Sequence, residues 1–228
     1  MNGVLLVDKP MGWTSHDVVA KLRSHLRLRK IGHAGTLDPM ATGLLVLLIG
    51  NGTKISQYVT NQDKTYEGTL RLGQETDSYD GEGEVVATHE VRVPKEIIRQ
   101  CAREFLGDQW QLPPMFSAKK VDGQPLYKLA RRGETIEREP RLAKIYDFWI
   151  HEIALPSVTF RVACSKGTYV RTLAHDMGQK LGCGAYLSQL CRTRTGNFRL
   201  DQAVALDDLL AMEYDEIEHC LLAITDIL

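Results

Sequence analysis

Gly32-His33-Ala34-Gly35-Thr36-Leu37-Asp38-Pro39-Met40-Ala41-Thr42-Gly43 runs directly into Leu44-Leu45-Val46-Leu47-Leu48-Ile49. Three glycines and a proline in twelve residues describe a backbone that neither a helix nor a strand would choose. The six apolar residues that follow read as a short buried strand. Asp38 precedes Pro39, which biases it toward an extended conformation and away from helix. A carboxylate on a glycine-rich turn at the mouth of a buried strand is a plausible catalytic group. Read from spacing alone, the commoner role of such an aspartate is to cap a turn.

Working outward, Val4 to Val7 reads as a second short buried strand. Thr14 to Leu28 reads as a helix, with Thr14 and Asp17 at capping-box spacing and Val18, Val19, Leu22 and Leu26 on one face. Thr53 to Val59 is predicted as a short helix. Thr65 to Leu72 is predicted as a strand with Tyr66, Gly68, Leu70 and Leu72 on one side. Pro94 to Phe105 is predicted as a helix with Pro in its first turn. Leu142 to Ile153 and Val158 to Cys164 read as an antiparallel pair. Thr168 to Leu181 reads as a helix, Ala185 to Thr195 as a strand, and a last helix begins near Leu206. Lys119 to Pro140 is basic and polar without an apolar period, and is expected to order on binding a partner. Helices and strands mix without regular alternation, so the fold class is α+β with a largely antiparallel mixed sheet flanked by helices.

Composition narrows the function classes. The 228 residues are 43% hydrophobic and 25% charged, enough for a stable core without metal or disulfides. The apolar stretch near the start is too short for a signal peptide, and the longest apolar run is far short of a membrane span, so a cytoplasmic protein is expected. The five cysteines, Cys101, Cys164, Cys183, Cys191 and Cys220, include no CxxC pair and read as reduced thiols rather than zinc ligands. Net charge is −1, but the distribution is uneven. From Asp201 onward there are eight acids and no Lys or Arg, which leaves 28 cations against 21 anions over residues 1–200. Arg23, Arg27, Arg29 and Lys30 form one basic cluster; Lys119, Lys120, Lys128, Arg131 and Arg132 form another. Such clustering fits a polyanionic partner as well as a solvated surface balanced by an acidic tail.

The glycine-rich stretch resembles the catalytic signature of the TruB family of tRNA pseudouridine synthases. Four further blocks, in the family's order, extend the likeness over nearly the whole chain. They are Lys9-Pro10-Met11-Gly12-Trp13-Thr14-Ser15; Lys64-Thr65-Tyr66-Glu67-Gly68; Gln111-Leu112-Pro113-Pro114 with Ser117-Ala118, Lys119, Gly123, Tyr127 and Ala130-Arg131; and Cys164 through Ala174 around Tyr169 and Arg171. The resemblance implies the pseudouridine synthase fold with a basic, RNA-clamping insertion at about 115–141. It also implies one catalytic domain over 1–228, and here no C-terminal PUA-like domain is expected.

The activity implied is isomerisation of uridine 55 in the T loop of tRNA, with the base flipped into the site. Because the reaction is redox-neutral, no cofactor and no metal are expected. The resemblance makes Asp38 the essential carboxylate, acting as nucleophile or as base. It makes Arg171 the cation that keeps Asp38 ionised. Tyr66 becomes the ring that stacks on uracil, with Tyr169 and Leu190 beside the base. His33 is expected to fit into the RNA beside the flipped nucleotide, and Lys9 and Lys54 to contact phosphates. The expected partner is the T stem-loop of tRNA, bound by a monomer without an obligatory protein partner and without a membrane. The competing readings are a non-catalytic tRNA-binding or tRNA-folding protein on the same fold, and a nucleoside hydrolase built on Asp38.

Overall fold

The structure, a computed structural model, describes residues 1–117, 120–121, 124–130, 132–134 and 136–227. In chain order the elements are β1 (Gly3–Lys9), α1 (Ser15–His25), β2 (Ile31–His33), β3 (Thr42–Ile49), a 3-10 turn (Gly50–Ile55), α2 (Ser56–Thr60) and β4 (Lys64–Leu72). Next come β5 (Gln74–Thr76), β6 (Val85–Thr88), α3 (Lys95–Glu104), β7 (Gly107–Gln111), β8 (Lys120–Val121), β9 (Gln124–Pro125) and α4 (Leu126–Ala130). The chain continues with β10 (Arg141–Ala154), β11 (Ser157–Cys164), α5 (Val170–Lys180), β12 (Ala185–Thr195), β13 (Phe198–Arg199), β14 (Val204–Ala205), α6 (Leu206–Ala211) and α7 (Tyr214–His219). Packing resolves the chain into two compact units, Met1–Tyr66 with Leu190–Leu228, and Glu67–Gln189. Both junctions fall inside strands, β4 and β12. Among the described residues no helix is long and apolar enough to cross a membrane.

In the first unit the strand order is β14-β1-β3-β12-β4, with β2 also on β3 and β13 on β12. β1 and β3 are antiparallel in register from Gly3↔Ile49 to Lys9↔Gly43, while β3 and β12 are parallel. β3 is buried from Gly43 to Ile49, which is why its sequence is a continuous apolar run rather than an alternating one. Val4, Leu6, Leu44, Val46 and Leu48 share one cluster with Ile55, Val59 and Phe198. Truncating a buried leucine of this kind to alanine typically costs about 2–5 kcal/mol. Thr14 caps α1, accepting from the Asp17 N–H at 3.0 Å while the Asp17 carboxylate accepts from the Thr14 N–H at 3.0 Å. The helix ends at His25, three residues before the predicted limit, because Arg27 turns into the left-handed region at φ 52°.

The glycine-rich stretch is shorter as a loop than predicted. Gly32 and His33 pair with Leu48 and Leu47 as part of β2, so the irregular turn begins at Ala34. The predicted helix at Thr53 is a 3-10 turn leading into α2. The last helix divides into α6 and α7, since Met212 leaves α6 in an extended conformation.

In the second unit the strands follow the order β12-β4-β11-β10-β7, and β10 pairs antiparallel with both β11 and β7. Phe148 and Phe160 meet edge to face at 5.5 Å, and Phe105 at the end of α3 packs on Phe148 at 6.4 Å. Ile98 and Cys101 of α3 and Leu173 and Met177 of α5 are buried. Gly68 is required by this core, because a Cβ there would lie 2.8 Å from the Phe160 ring and 2.7 Å from the Gln189 carbonyl. Short hairpins β5–β6 and β8–β9 carry no strong alternation in sequence and were not predicted. β7 was missed for the same reason.

Candidate active site

The turn carrying Asp38 belongs to the first unit and is braced along its length by hydrogen bonds to its own backbone. Ser15, the first residue of α1, accepts from the Leu37 N–H at 2.8 Å and donates to the Leu37 carbonyl at 3.2 Å. The Gly12 N–H reaches the Pro39 carbonyl at 2.9 Å, and the Ala41 N–H reaches the Asp38 carbonyl at 3.1 Å. Ala34 is tied to Val46 of β3 at 2.9 Å. Asp38 itself is half-buried. Such a turn holds a side chain in one place without help from a ligand.

Lys9 occupies an unexpected position. It is fully buried, and its ammonium donates to the carbonyls of Pro10 (2.9 Å), Trp13 (2.6 Å) and Pro39 (3.4 Å). The expected phosphate contact is therefore corrected: a buried ammonium already spent on backbone carbonyls cannot reach a phosphate, and Lys9 instead fastens the β1–α1 connection to the Asp38 turn. Lys54 is exposed in the 3-10 turn after β3. It lies at the opposite end of that strand from Thr42, a strand length of roughly 23 Å at about 3.3 Å per residue.

His33 is half-buried at the end of β2. Burial, then the Arg192 guanidinium and His16, push its pKa below the ordinary 6.5, against a backbone hydrogen bond at Gly35. The neutral ring is therefore favoured at pH 7. Tyr66 is buried near the start of β4, and Leu190 is buried on β12. The register Cys191↔Thr42 places Leu190 beside the exit of the Asp38 turn, and Thr42 Oγ1 lies 3.4 Å from the Leu190 carbonyl. Thr193 of β12 reaches the carbonyl of Thr65, the neighbour of Tyr66, at 3.4 Å.

In the second unit, Tyr169 is the N-cap of α5. Its N–H donates to Gln111 Oε1 at 2.9 Å, and Gln111 Nε2 returns to the Tyr169 carbonyl at 3.3 Å. Arg171, in the first turn of α5, is 4% exposed. Its guanidinium donates to Asp80 Oδ2 at 3.0 Å, to the Ser78 carbonyl at 3.2 Å and to the Phe116 carbonyl at 2.8 Å. Asp80 is 2% exposed and also accepts from Ser78 Oγ (2.6 Å) and the Glu82 N–H (3.0 Å). Tyr79, left-handed at φ 66°, stacks on His175 of α5 at 3.9 Å.

Asp80 is a charged partner that sequence reasoning missed. Asp77-Ser78-Tyr79-Asp80-Gly81 reads as an ordinary polar turn, and nothing local marks one of its acids as buried. Arg192 was missed as well. It is 1% exposed on β12, donating from Nε to the Leu44 carbonyl at 2.8 Å and from Nη2 to the Gly35 carbonyl at 3.1 Å.

Of the basic insertion, Lys119, Gly123 and Arg131, together with Ala118, lie outside the described residues. Arg132 pairs with Glu134 at 2.8 Å on the surface. Among the described residues no group of three His, Cys, Asp or Glu side chains is arranged to hold a metal ion.

Comparison with known proteins supplies the family. The TruB family pseudouridylate synthase (N terminal domain) pattern matches residues 23–170, and the tRNA pseudouridylate synthase B C-terminal domain pattern matches residues 171–228. A tRNA pseudouridine synthase B of Opitutus terrae is 56% identical over 225 residues, covering 98% of this chain and 93% of that protein. One of Syntrophotalea carbinolica is 46% identical, covering 100% of this chain and 75% of that protein. Among solved structures, the crystal structure of a Cbf5-Nop10-Gar1 complex holds a chain that superposes with a TM-score of 0.75 at 33% identity. The match covers 96% of this chain and 57% of that one. An archaeal box H/ACA sRNP Nop10-Cbf5 complex gives a TM-score of 0.72 at 30% identity, covering 96% of this chain and 59% of that one. With a mixed sheet of this topology and family patterns that together match residues 23–228, the chain belongs to the TruB family of pseudouridylate synthases.

Proposed function

We propose that this protein isomerises uridine 55 in the T loop of tRNA to pseudouridine, with Asp38 as the catalytic carboxylate. The observation that carries this reading is the braced turn: Ser15, Gly12 and Lys9 each bond the backbone within one residue of Asp38. A reacting group needs such prior placement, since orientation supplies much of the rate.

The C1′–N1 glycosidic bond breaks, the uracil turns, and C1′ joins C5. The C5 proton leaves to solvent and N1 takes one up, so no electrons are exchanged. Asp38 acts either by attacking C1′ or by moving a sugar proton, and both roles require its ionised form. Arg171 is the cation proposed to favour that form, with Asp80 fixing the guanidinium plane. Tyr66 holds the detached uracil by stacking, worth about 1–3 kcal/mol per base. Leu190 and Tyr169 pack beside the base. His33, neutral, fits into the RNA beside the flipped nucleotide, and Lys54 contacts a phosphate. The basic segment at about 115–141 clamps the tRNA arm. The protein acts as a cytoplasmic monomer.

The test is carbodiimide mapping of an unmodified tRNA transcript after incubation with the protein and with Asp38→Asn. A single new stop at uridine 55 is expected with the native chain and none with the variant. Turnover by Asp38→Asn removes the assigned role, and a stop elsewhere removes the assigned position.

A further inference from the structure

Arg192 is the largest fully buried side chain among the described residues. Among those residues no carboxylate pairs with it. Its charge is instead spent on two backbone carbonyls, Leu44 O at 2.8 Å from Nε and Gly35 O at 3.1 Å from Nη2. Burying a guanidinium without a counter-ion is costly, so a side chain kept in that state points to something a neutral residue would not supply.

Its location shows what that is. Gly35 lies near the entrance of the turn that carries Asp38, and Gly43 is its exit. The Arg192 backbone stands in register with Gly43, so close that a Cβ on Gly43 would lie 2.5 Å from the Arg192 carbonyl. The Arg192 side chain then crosses to Gly35, with Nη1 3.5 Å from where a Cβ on Gly35 would lie. One residue therefore touches both ends of the turn. Gly35 at φ 100° and Gly43 at φ 93° are backbone positions that L side chains rarely adopt, and each is held against Arg192.

We propose that Arg192 is a positioning residue for the reaction, fixing the entrance and exit of the Asp38 turn through its side chain and its backbone. The proposal rests on the reading of Asp38 as the catalytic carboxylate. Its action is through the turn, without contact to substrate. The same guanidinium is one cause of the lowered pKa of His33, which offers an independent report of its charge.

The experiment uses the full chain with Arg192→Gln, Arg192→Lys and, separately, Asp38→Asn. Single-turnover release of tritium from a tRNA transcript labelled at uridine C5 measures the chemical step. Filter binding measures tRNA affinity, and NMR follows the His33 titration. Arg192→Gln is expected to bind tRNA within about twofold of wild type and to react about 100-fold more slowly, the scale of a small misplacement of a reacting group. His33 should titrate at higher pH in that variant. Arg192→Lys, which keeps the charge but reaches one carbonyl at a time, should fall between the two rates.

A wild-type rate in Arg192→Gln, with His33 shifted, overturns the proposal. So does a rate loss matched by an equal loss of tRNA affinity with no recovery in Arg192→Lys. If only Arg192→Lys folds, an intermediate rate with intact affinity supports the role, and a wild-type rate discards it. Failure of both variants to fold assigns Arg192 to stability alone. Wild-type turnover by Asp38→Asn discards the reading of Asp38, whereas an inactive Asp38→Asn beside a fully active Arg192→Gln discards only the positioning role.

Discussion

Replacing Asp80 with asparagine probes a deeply buried ion pair. Asp80 Oδ2 and Arg171 Nη1 are 3.0 Å apart, and the two side chains are 3% and 4% exposed. With charge centres about 4 Å apart and an effective dielectric near 20, their attraction is about 4 kcal/mol. The desolvation of Arg171 is not recovered when the carboxylate goes, so breaking such a pair from one side costs about 3–5 kcal/mol. Asparagine retains an acceptor for the Ser78 hydroxyl and the Glu82 N–H, which argues for the lower end, about 3 kcal/mol. For a chain of this size each kcal/mol moves the melting temperature by about 2–4 °C, so a fall of about 6–12 °C is expected. Differential scanning calorimetry of Asp80→Asn, Arg171→Met and the double variant gives the coupling directly. The double variant should be less destabilised than the sum of the singles by about 2 kcal/mol, because it removes both charges. An Asp80→Asn protein melting within about 2 °C of wild type would refute the reasoning, since it would mean the pair contributes no more than a surface contact.

Three further outcomes are expected. Gly43→Ala should destabilise by about 3 kcal/mol in urea titration, combining a positive φ penalty with the 2.5 Å clash against Arg192, whereas Gly35→Ala, with nothing closer than 3.5 Å, should cost about 1–2 kcal/mol. Cys101, its thiol pushed up to about 11 by burial, should resist iodoacetamide at pH 8 in the native protein and react after unfolding, as peptide mass mapping would read. His33 should titrate below 6.5 by NMR. Because the unfolded chain then binds its proton more readily, stability should fall as pH drops from 6.5 through the folded pKa, and His33→Gln should flatten that part of the pH dependence.

The elements with strong periodicity were legible in the sequence. β12 was predicted to the residue, Ala185–Thr195, and α1 began where the Thr14–Asp17 capping box placed it. These signals are local: a cap needs only the residues three apart, and an apolar run needs only its own side chains. The weak elements failed for the complementary reason. β7 and the β5–β6 hairpin exist because neighbouring strands offer hydrogen bonds, and Val85 and Val86 remain exposed in the latter. Of the candidate site, the Asp38 turn and its five-block resemblance could be read directly, but Lys9 could not be told from a surface lysine until its ammonium was seen among three carbonyls.

The sequence by itself determined the family and the fold class, because motif identity and apolar spacing are properties of the chain. Only the tertiary structure decided how the buried charges are spent. Asp80 with Arg171 across 91 residues, Arg192 with Gly35 across 157, and Lys9 with Pro39 across 30 are all meetings of groups distant in the chain. A charge can be buried only where folding brings its partners to it, and no stretch of sequence records where those partners will be.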